Sequence, residues 1–187
     1  MRIISGEKKG FPLKSVPGKT TRPTSDKVKE SIFNMIGPYF HGGSMLDLYA
    51  GSGAMGIEAI SRGMTKATFV DREKKAVETI YANLHKANLG ANAEVFRTDA
   101  QRALKVIKKK GQTFDFVFLD PPYAKQQINL ELMFISENNI INKGGYIVAE
   151  HSSKVILKAD LNFEIIRQET YGDTTVTIFS KNDEEEL

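Results

Sequence analysis

Apolar positions along the chain switch between two periods. Val28, Ile32, Met35 and Ile36 recur at the spacing of one helix face, and that pattern breaks at Gly37-Pro38. Ahead of it, residues 22–26 (Arg-Pro-Thr-Ser-Asp) offer several possible helix caps. From Ser44 onward strand and helix patterns alternate. Met45, Leu46 and Leu48 end a short buried strand. Ile57, Ala59 and Ile60 then begin an apolar helical face that Gly63 closes as a C-cap residue. Residues 67–71 form a second strand, and Ala76, Ile80, Leu84 and Ala87 line one face of a helix over 73–88. A third strand covers 94–99, followed by a helix over 100–110 with Ala103, Leu104 and Ile107 inward. The lysines that end that helix suit its dipole.

A fourth strand covers 114–120 and stops at Pro121-Pro122. Residues 128–138 read as helix, 143–145 as a turn and 146–150 as a fifth strand. The alternation then ends. Residues 163–171 and 174–180 are two strand patterns with only Gly172-Asp173 between them, a hairpin, so one strand must run antiparallel to the rest. The predicted fold class is α/β. It is a doubly wound, Rossmann-like sheet, mostly parallel, with a C-terminal antiparallel hairpin. Residues 1–23 read as a basic extension packed on the domain, where 2–5 and 11–14 pair as a β-hairpin and Pro12 takes an edge position. Residues 24–181 form a single domain, and the acidic tail 182–187 is expected to be disordered.

Composition narrows the chemistry. The 187 residues suit one domain with a real core, and 41% hydrophobic and 26% charged content are ordinary for a soluble chain. No apolar run reaches the length of a membrane span, and the N-terminus lacks a signal-peptide core, so a cytoplasmic protein with no membrane partner is expected. The absence of cysteine excludes disulfides, thiolate metal sites and any cysteine nucleophile. His41, His85 and His151 lie far apart without ligand spacing, so no metal site is expected. The net charge of +3 is uneven. Residues 1–30 hold eight Lys and Arg against three acidic residues, a basic face of the kind that meets nucleic acid. Nothing in the sequence demands more than a monomer.

The stretch 46–63 carries candidate chemistry. Gly51, Gly53 and Gly56 match G-x-G-x-x-G between a strand and a helix, which makes a nucleotide pocket more credible than a bare glycine triplet would. Glycine permits positive φ and close backbone approach, and a helix N-terminus favours a negative group. Asp71 ends the next strand 20 residues after Gly51, where both nicotinamide and S-adenosylmethionine (SAM) enzymes hold ribose hydroxyls. Asp47 favours SAM. A carboxylate just before the glycines opposes a pyrophosphate but suits the ammonium of a methionyl group. Asp47, Asp71, Asp99 and Asp120 each end or follow one of the first four strands, and such a fold would gather them on one rim. For Asp99 alone, a helix cap explains the residue equally well.

Asp120-Pro121-Pro122-Tyr123 is the second informative stretch. Two prolines fix the backbone and remove two donors. The Asp120 carboxylate and the Pro121 carbonyl remain as acceptors, with the Tyr123 ring beside them. Such a group fits an exocyclic –NH2: two acceptors take its hydrogens and the ring stacks on the base.

These stretches resemble the bacterial 16S ribosomal RNA guanine-N2 methyltransferases of the RsmD type, within the D-P-P-Y amino-methyltransferases. The resemblance runs from Arg2 to about Ser180. Its specific parts are residues 21–24 with the following helix to Asn34, the glycine stretch 47–63, and 69–71. Asp99-Ala100 and 114–123 complete it. It implies that Asp47, Gly51 and Gly53 hold the methionyl end of SAM and that Asp71 holds the ribose. Asp99 and the Ala100 N–H would read the adenine, and Asp120, Pro121 and Tyr123 would hold the target base. Arg72 and Asp120 are counted with the cofactor residues. Arg2, Lys8, Lys9, Arg22 and Lys125 are expected to contact RNA phosphates, the partner being 16S rRNA or the small ribosomal subunit. The N-terminal hairpin departs from the family's more arginine-rich glycine pattern. Three other readings stay open: an adenine-N6 methyltransferase on DNA or RNA, a nicotinamide oxidoreductase, and an RNA-binding module with a vestigial pocket.

Overall fold

The computed structural model describes residues 1–18, 25–122, 127–158 and 162–181. Arg22, Tyr123, Lys125 and the tail 182–187 lie outside the described residues, as does the expected boundary at 23–24. The chain forms two compact units, Met1–Ala100 and Gln101–Leu187.

In the first unit, α1 (Asp26–Ile36) starts at Ser25, whose hydroxyl accepts the Val28 N–H at 3.2 Å. Its buried face is Lys29, Ile32, Phe33 and Ile36, while Val28 and Met35 are only half-buried. Three parallel strands follow, β1 (Ser44–Asp47), β2 (Lys66–Asp71) and β3 (Ala93–Arg97), in the order β3-β2-β1. The helices α2 (Ala54–Ser61) and α3 (Lys74–Ala87) connect them. The expected face of α3 is the buried one: Ala76, Ile80, Leu84 and Ala87 are almost without exposure. Helix α2 is buried from Met55 through Ser61. Gly56 sits against the Phe69 ring so closely that a Cβ there would lie 2.3 Å from it. Gly63 closes α2 with φ 112°, and the Phe40 carbonyl leaves no room for a side chain.

Residues 1–14 pair as the sequence predicts. Arg2 bridges Pro12, and Ile3 exchanges backbone bonds with Phe11 and Gly10 at 2.9 and 2.8 Å. Ile3 and Leu13 are buried.

The second unit contains α4 (Ala100–Lys110, its first residue apart), β4 (Phe114–Leu119), α5 (Ile128–Glu137), β5 (Ile141–Ser152), β6 (Phe163–Tyr171) and β7 (Thr174–Lys181). Its strand order is β4-β5-β7-β6. β4 and β5 are parallel, and β7 runs antiparallel to both neighbours. The α/β class, the parallel strands and the C-terminal hairpin therefore stand as expected. One element differs. The turn expected at 143–145 lies inside β5, because the strand starts at Ile141 and absorbs those residues as a bulge between its pairs with Phe114 and Phe116. The glycines that suggested a turn supply the bulge. Gly145 lies where a Cβ would meet the Asn142 and Asp115 carbonyls at 2.9 Å.

Candidate active site

Strand register stages three aspartates along the carboxyl ends of the first unit's strands. Asp47, the last residue of β1, pairs with Phe69, and Asp71 lies two residues beyond it. Asp71 pairs with Arg97, and Asp99 lies two residues further on, with the Thr98 N–H donating to the Asp71 carbonyl at 3.1 Å. Parallel pairing thus brings Asp47, Asp71 and Asp99 to one edge. The side chains differ sharply in environment.

Asp47 is 1% exposed, and neither carboxylate oxygen has a hydrogen-bond partner. Burial pushes its acid up to about 7, the negative charge of Asp71 adds to that, and the Gly56 amide opposes it. That amide lies outside hydrogen-bonding geometry, so it does not satisfy the carboxylate. A buried, orphaned carboxylate is destabilising unless something cationic meets it.

Asp71 is satisfied. Its Oδ2 accepts the Gly51 N–H and its Oδ1 the Glu73 N–H, both at 2.9 Å. It thereby fixes the glycine turn, and each oxygen retains a second lone pair for a hydroxyl. The turn depends on left-handed φ at Gly51 (56°) and Gly53 (80°). The Gly51 N–H points to Asp71 and the Gly53 N–H to the Ala50 carbonyl, at 2.7 Å, so both donors are engaged inside the turn. What Gly51 offers a ligand is space: a Cβ there would meet nothing within 4 Å. Arg72 is exposed and pairs with Glu73 at 3.2 Å. Asp99 is half-buried ahead of α4, and Ala100, which opens that helix, is buried.

In the second unit Asp120 is half-buried just beyond β4, Pro121 is buried and Pro122 exposed. Among the basic residues, Arg2 pairs with Asp26 at 3.4 Å and Lys8 with Glu7 at 2.8 Å, both at the surface, while Lys9 is exposed. Exposed pairs of this kind are weak and give way readily to a phosphate. Of the histidines, His151 is buried, with Nδ1 2.9 Å from the Ser152 carbonyl and Nε2 2.9 Å from Thr177 Oγ1. Burial lowers its pKa, with the Ser152 carbonyl opposing.

Sequence reasoning missed Glu58, Lys29, Arg62 and Asn83. Glu58 is fully buried and pairs with Lys29 at 3.2 Å and Arg62 at 2.7 Å. It also accepts the Ile4 and Ser5 N–H groups at 2.8 and 3.0 Å. Lys29 further donates to the Arg2 carbonyl, and Arg62 donates to the Pro38 carbonyl while stacking 4.8 Å over the Phe33 ring. Burial pulls the Lys29 ammonium below its usual value, and Glu58 works against that shift. The sequence signal was a lone glutamate among Ile57, Ala59 and Ile60 with an arginine four residues on. Asn83 left a fainter one: it lies on the apolar stripe of α3, three residues after Ile80.

Comparisons with known proteins agree with this architecture. The family model described as "Conserved hypothetical protein 95" matches residues 1–180. The Bacillus subtilis protein named "Putative rRNA methyltransferase YlbH" is 52% identical over 182 residues, covering 97% of this chain and 99% of that one. The "Ribosomal RNA small subunit methyltransferase D" of Haemophilus influenzae is 32% identical over 96% of this chain and 93% of its own. A solved structure, "Putative methyltransferase yhhF from Escherichia coli", superposes with a TM-score of 0.83 at 29% identity, covering 98% of this chain and 99% of that one. The chain belongs to the Conserved hypothetical protein 95 family, that of the ribosomal RNA small subunit methyltransferases D.

Proposed function

We propose that the protein transfers a methyl group from SAM to the exocyclic N2 of a guanine in the 16S rRNA of the small ribosomal subunit. The observation that carries the cofactor is Asp47, a buried carboxylate with no partner immediately before the glycine turn. The ammonium of a methionyl group satisfies it, whereas a pyrophosphate would set negative charge against negative charge. Family membership supports rRNA as the substrate. The guanine and its N2 rest on the resemblance.

SAM supplies an electrophilic methyl on a sulfonium. On the protein side, Asp47 holds the ammonium, Asp71 accepts from the ribose hydroxyls, and Asp99 with the Ala100 N–H reads the adenine. Gly51 gives the space for close approach, and Gly53 caps α2 behind it. An exocyclic amino nitrogen is a poor nucleophile because its lone pair is delocalised into the ring. Asp120 and the Pro121 carbonyl accept its two hydrogens and favour the pyramidal form, whose lone pair is localised, while Tyr123 stacks on the base. Arg72 lies beside the ribose site. Arg2, Lys8, Lys9, Arg22 and Lys125 contact phosphates, and residues 1–23 serve as the RNA-holding extension. We read the protein as a cytoplasmic monomer that uses no metal. Among the described residues no helix is long and apolar enough to cross a membrane.

The test is to incubate the protein with methyl-labelled SAM and small subunits lacking the modification, then digest the RNA and identify the labelled nucleoside. N2-methylguanosine is expected. Label in N6-methyladenosine would keep the amino-group chemistry and overturn the base assignment. Loss of SAM binding itself would overturn the reading of the glycine turn.

A further inference from the structure

Asn83 has no part in the proposed chemistry, yet its hydrogen bonds join the two surfaces that chemistry needs. It stands on the apolar stripe of α3 and is 1% exposed. Its planar amide offers two N–H donors and one carbonyl acceptor, and all are in use. Oδ1 accepts the Lys14 N–H at 2.8 Å. Nδ2 donates to the Lys14 carbonyl at 3.0 Å and to the Ser52 carbonyl at 2.9 Å. The main chain of Lys14 is therefore paired through both of its groups to one side chain. Ser52 is the middle residue of the glycine turn, between the left-handed Gly51 and Gly53. Its hydroxyl reaches the same N-terminal segment a second time, donating to Met1 Sδ at 3.8 Å.

We propose that Asn83 is a positioning residue that makes the N-terminal segment and the glycine turn move as one, so that RNA on the segment and SAM in the turn strengthen each other's binding. The proposal rests on the reading of those two surfaces given above. Three bonds share one rigid plane, so Lys14 cannot shift without carrying Ser52 with it or costing the buried Asn83 amide one of its bonds. The Lys14 side chain is exposed and basic on the same residue whose backbone is held, so a phosphate on it acts directly on the clamp. A ligand that orders the turn orders Ser52, then Asn83, then Lys14. The second ligand then meets a surface already ordered, and the coupling is reciprocal.

The experiment measures the affinity of a labelled small-subunit rRNA fragment by anisotropy, with and without saturating S-adenosylhomocysteine, which binds without turnover. For the unaltered protein the product should tighten RNA binding at least about fivefold, the lower end of ordinary site coupling. Asn83→Asp keeps the shape and the acceptor but replaces both donors, and should bring that ratio to about one. A direct measurement on the unaltered protein stands beside it in case the variant folds poorly: S-adenosylhomocysteine should slow hydrogen exchange at the Lys14 amide. A ratio of one in the unaltered protein, an Asn83→Asp variant that keeps the full ratio, or a Lys14 amide indifferent to the ligand would each overturn the proposal. RNA affinity unchanged in the Lys8→Gln, Lys9→Gln double variant would instead overturn the RNA surface itself, and the coupling with it.

Discussion

At the scale of single residues, the three aspartates of the first unit share a strand edge but not a role. Asp71 is fixed by two backbone N–H groups, whereas Asp47 has no partner. Its folded-state pKa of about 7 lies above the ordinary value of 3.8. The folded chain therefore holds a proton that the unfolded chain releases, and stability falls as pH rises from about 4 through about 7. Without SAM, Asp47→Asn should raise the melting temperature at pH 8 and leave it nearly unchanged at pH 4. The gain at pH 8 should be on the order of a few kcal/mol, and a melting temperature unmoved at pH 8 would show that the charge is satisfied. The same substitution should weaken SAM binding at least about tenfold. Because the ammonium needs the ionised form, SAM affinity of the unaltered protein should fall about tenfold per pH unit below 7, as titration calorimetry would show. Asp120→Ala should lose methyl transfer while weakening SAM binding far less, and normal turnover in that variant would remove Asp120 from the mechanism.

At the scale of elements, the first unit is joined by charge where a helix is buried all round. Helix α2 has no solvent face for Glu58, so Lys29 from α1, Arg62 one turn on and two N–H groups of the N-terminal segment converge on it. Glu58→Gln would leave two buried cations without a counter-charge and should destabilise the protein by about 3–5 kcal/mol in urea unfolding. Adding Lys29→Met should recover part of that loss, a coupling that a double-mutant cycle measures. Gly56→Ala probes a different constraint. Its Cβ would lie 2.3 Å from the Phe69 ring, and Phe69 is fully buried with nowhere to go, so a loss of about 1–3 kcal/mol is expected.

At the scale of the whole molecule, the net charge of +3 is concentrated at the N-terminus, where Lys9, Lys14 and Lys27 are exposed and Lys8 is half-buried. RNA affinity should fall steeply with salt. The Lys8→Gln, Lys9→Gln double variant should lower the salt slope by about 2, one for each phosphate that is no longer neutralised. Charge alone suggests that deleting residues 1–18 would spare SAM binding. The buried Ile3 and Leu13, the bonds to Glu58 and the Asn83 clamp argue that SAM affinity falls as well. Isothermal titration of the truncated chain decides between them.

Much of this architecture was legible in the chain because it is local. Apolar patterns marked the α-helices and the first four strands of the alternating part and the middle of β5, but not the short 3-10 helix at Gly90–Asn92; Gly172-Asp173 marked the hairpin, and G-x-G-x-x-G after a strand marked the turn. The aspartates were visible as strand-terminal carboxylates. Local signals misled where a glycine pair stood for a bulge, at 144–145, because a turn and a bulge demand the same backbone freedom. Tertiary structure decided whatever depends on a partner distant in sequence. It left Asp47 without a hydrogen bond while giving Asp71 two, it used the Gly51 and Gly53 donors inside the turn, and it gathered Lys29, Glu58 and Arg62 into one buried cluster. It also made Asn83 a link across 69 residues to Lys14. Burial and hydrogen-bond satisfaction are properties of neighbours in space. The sequence determined which groups the protein has and on which elements they ride, and only packing decided that the Asp47 carboxylate is buried without a hydrogen bond while Asp71 is satisfied.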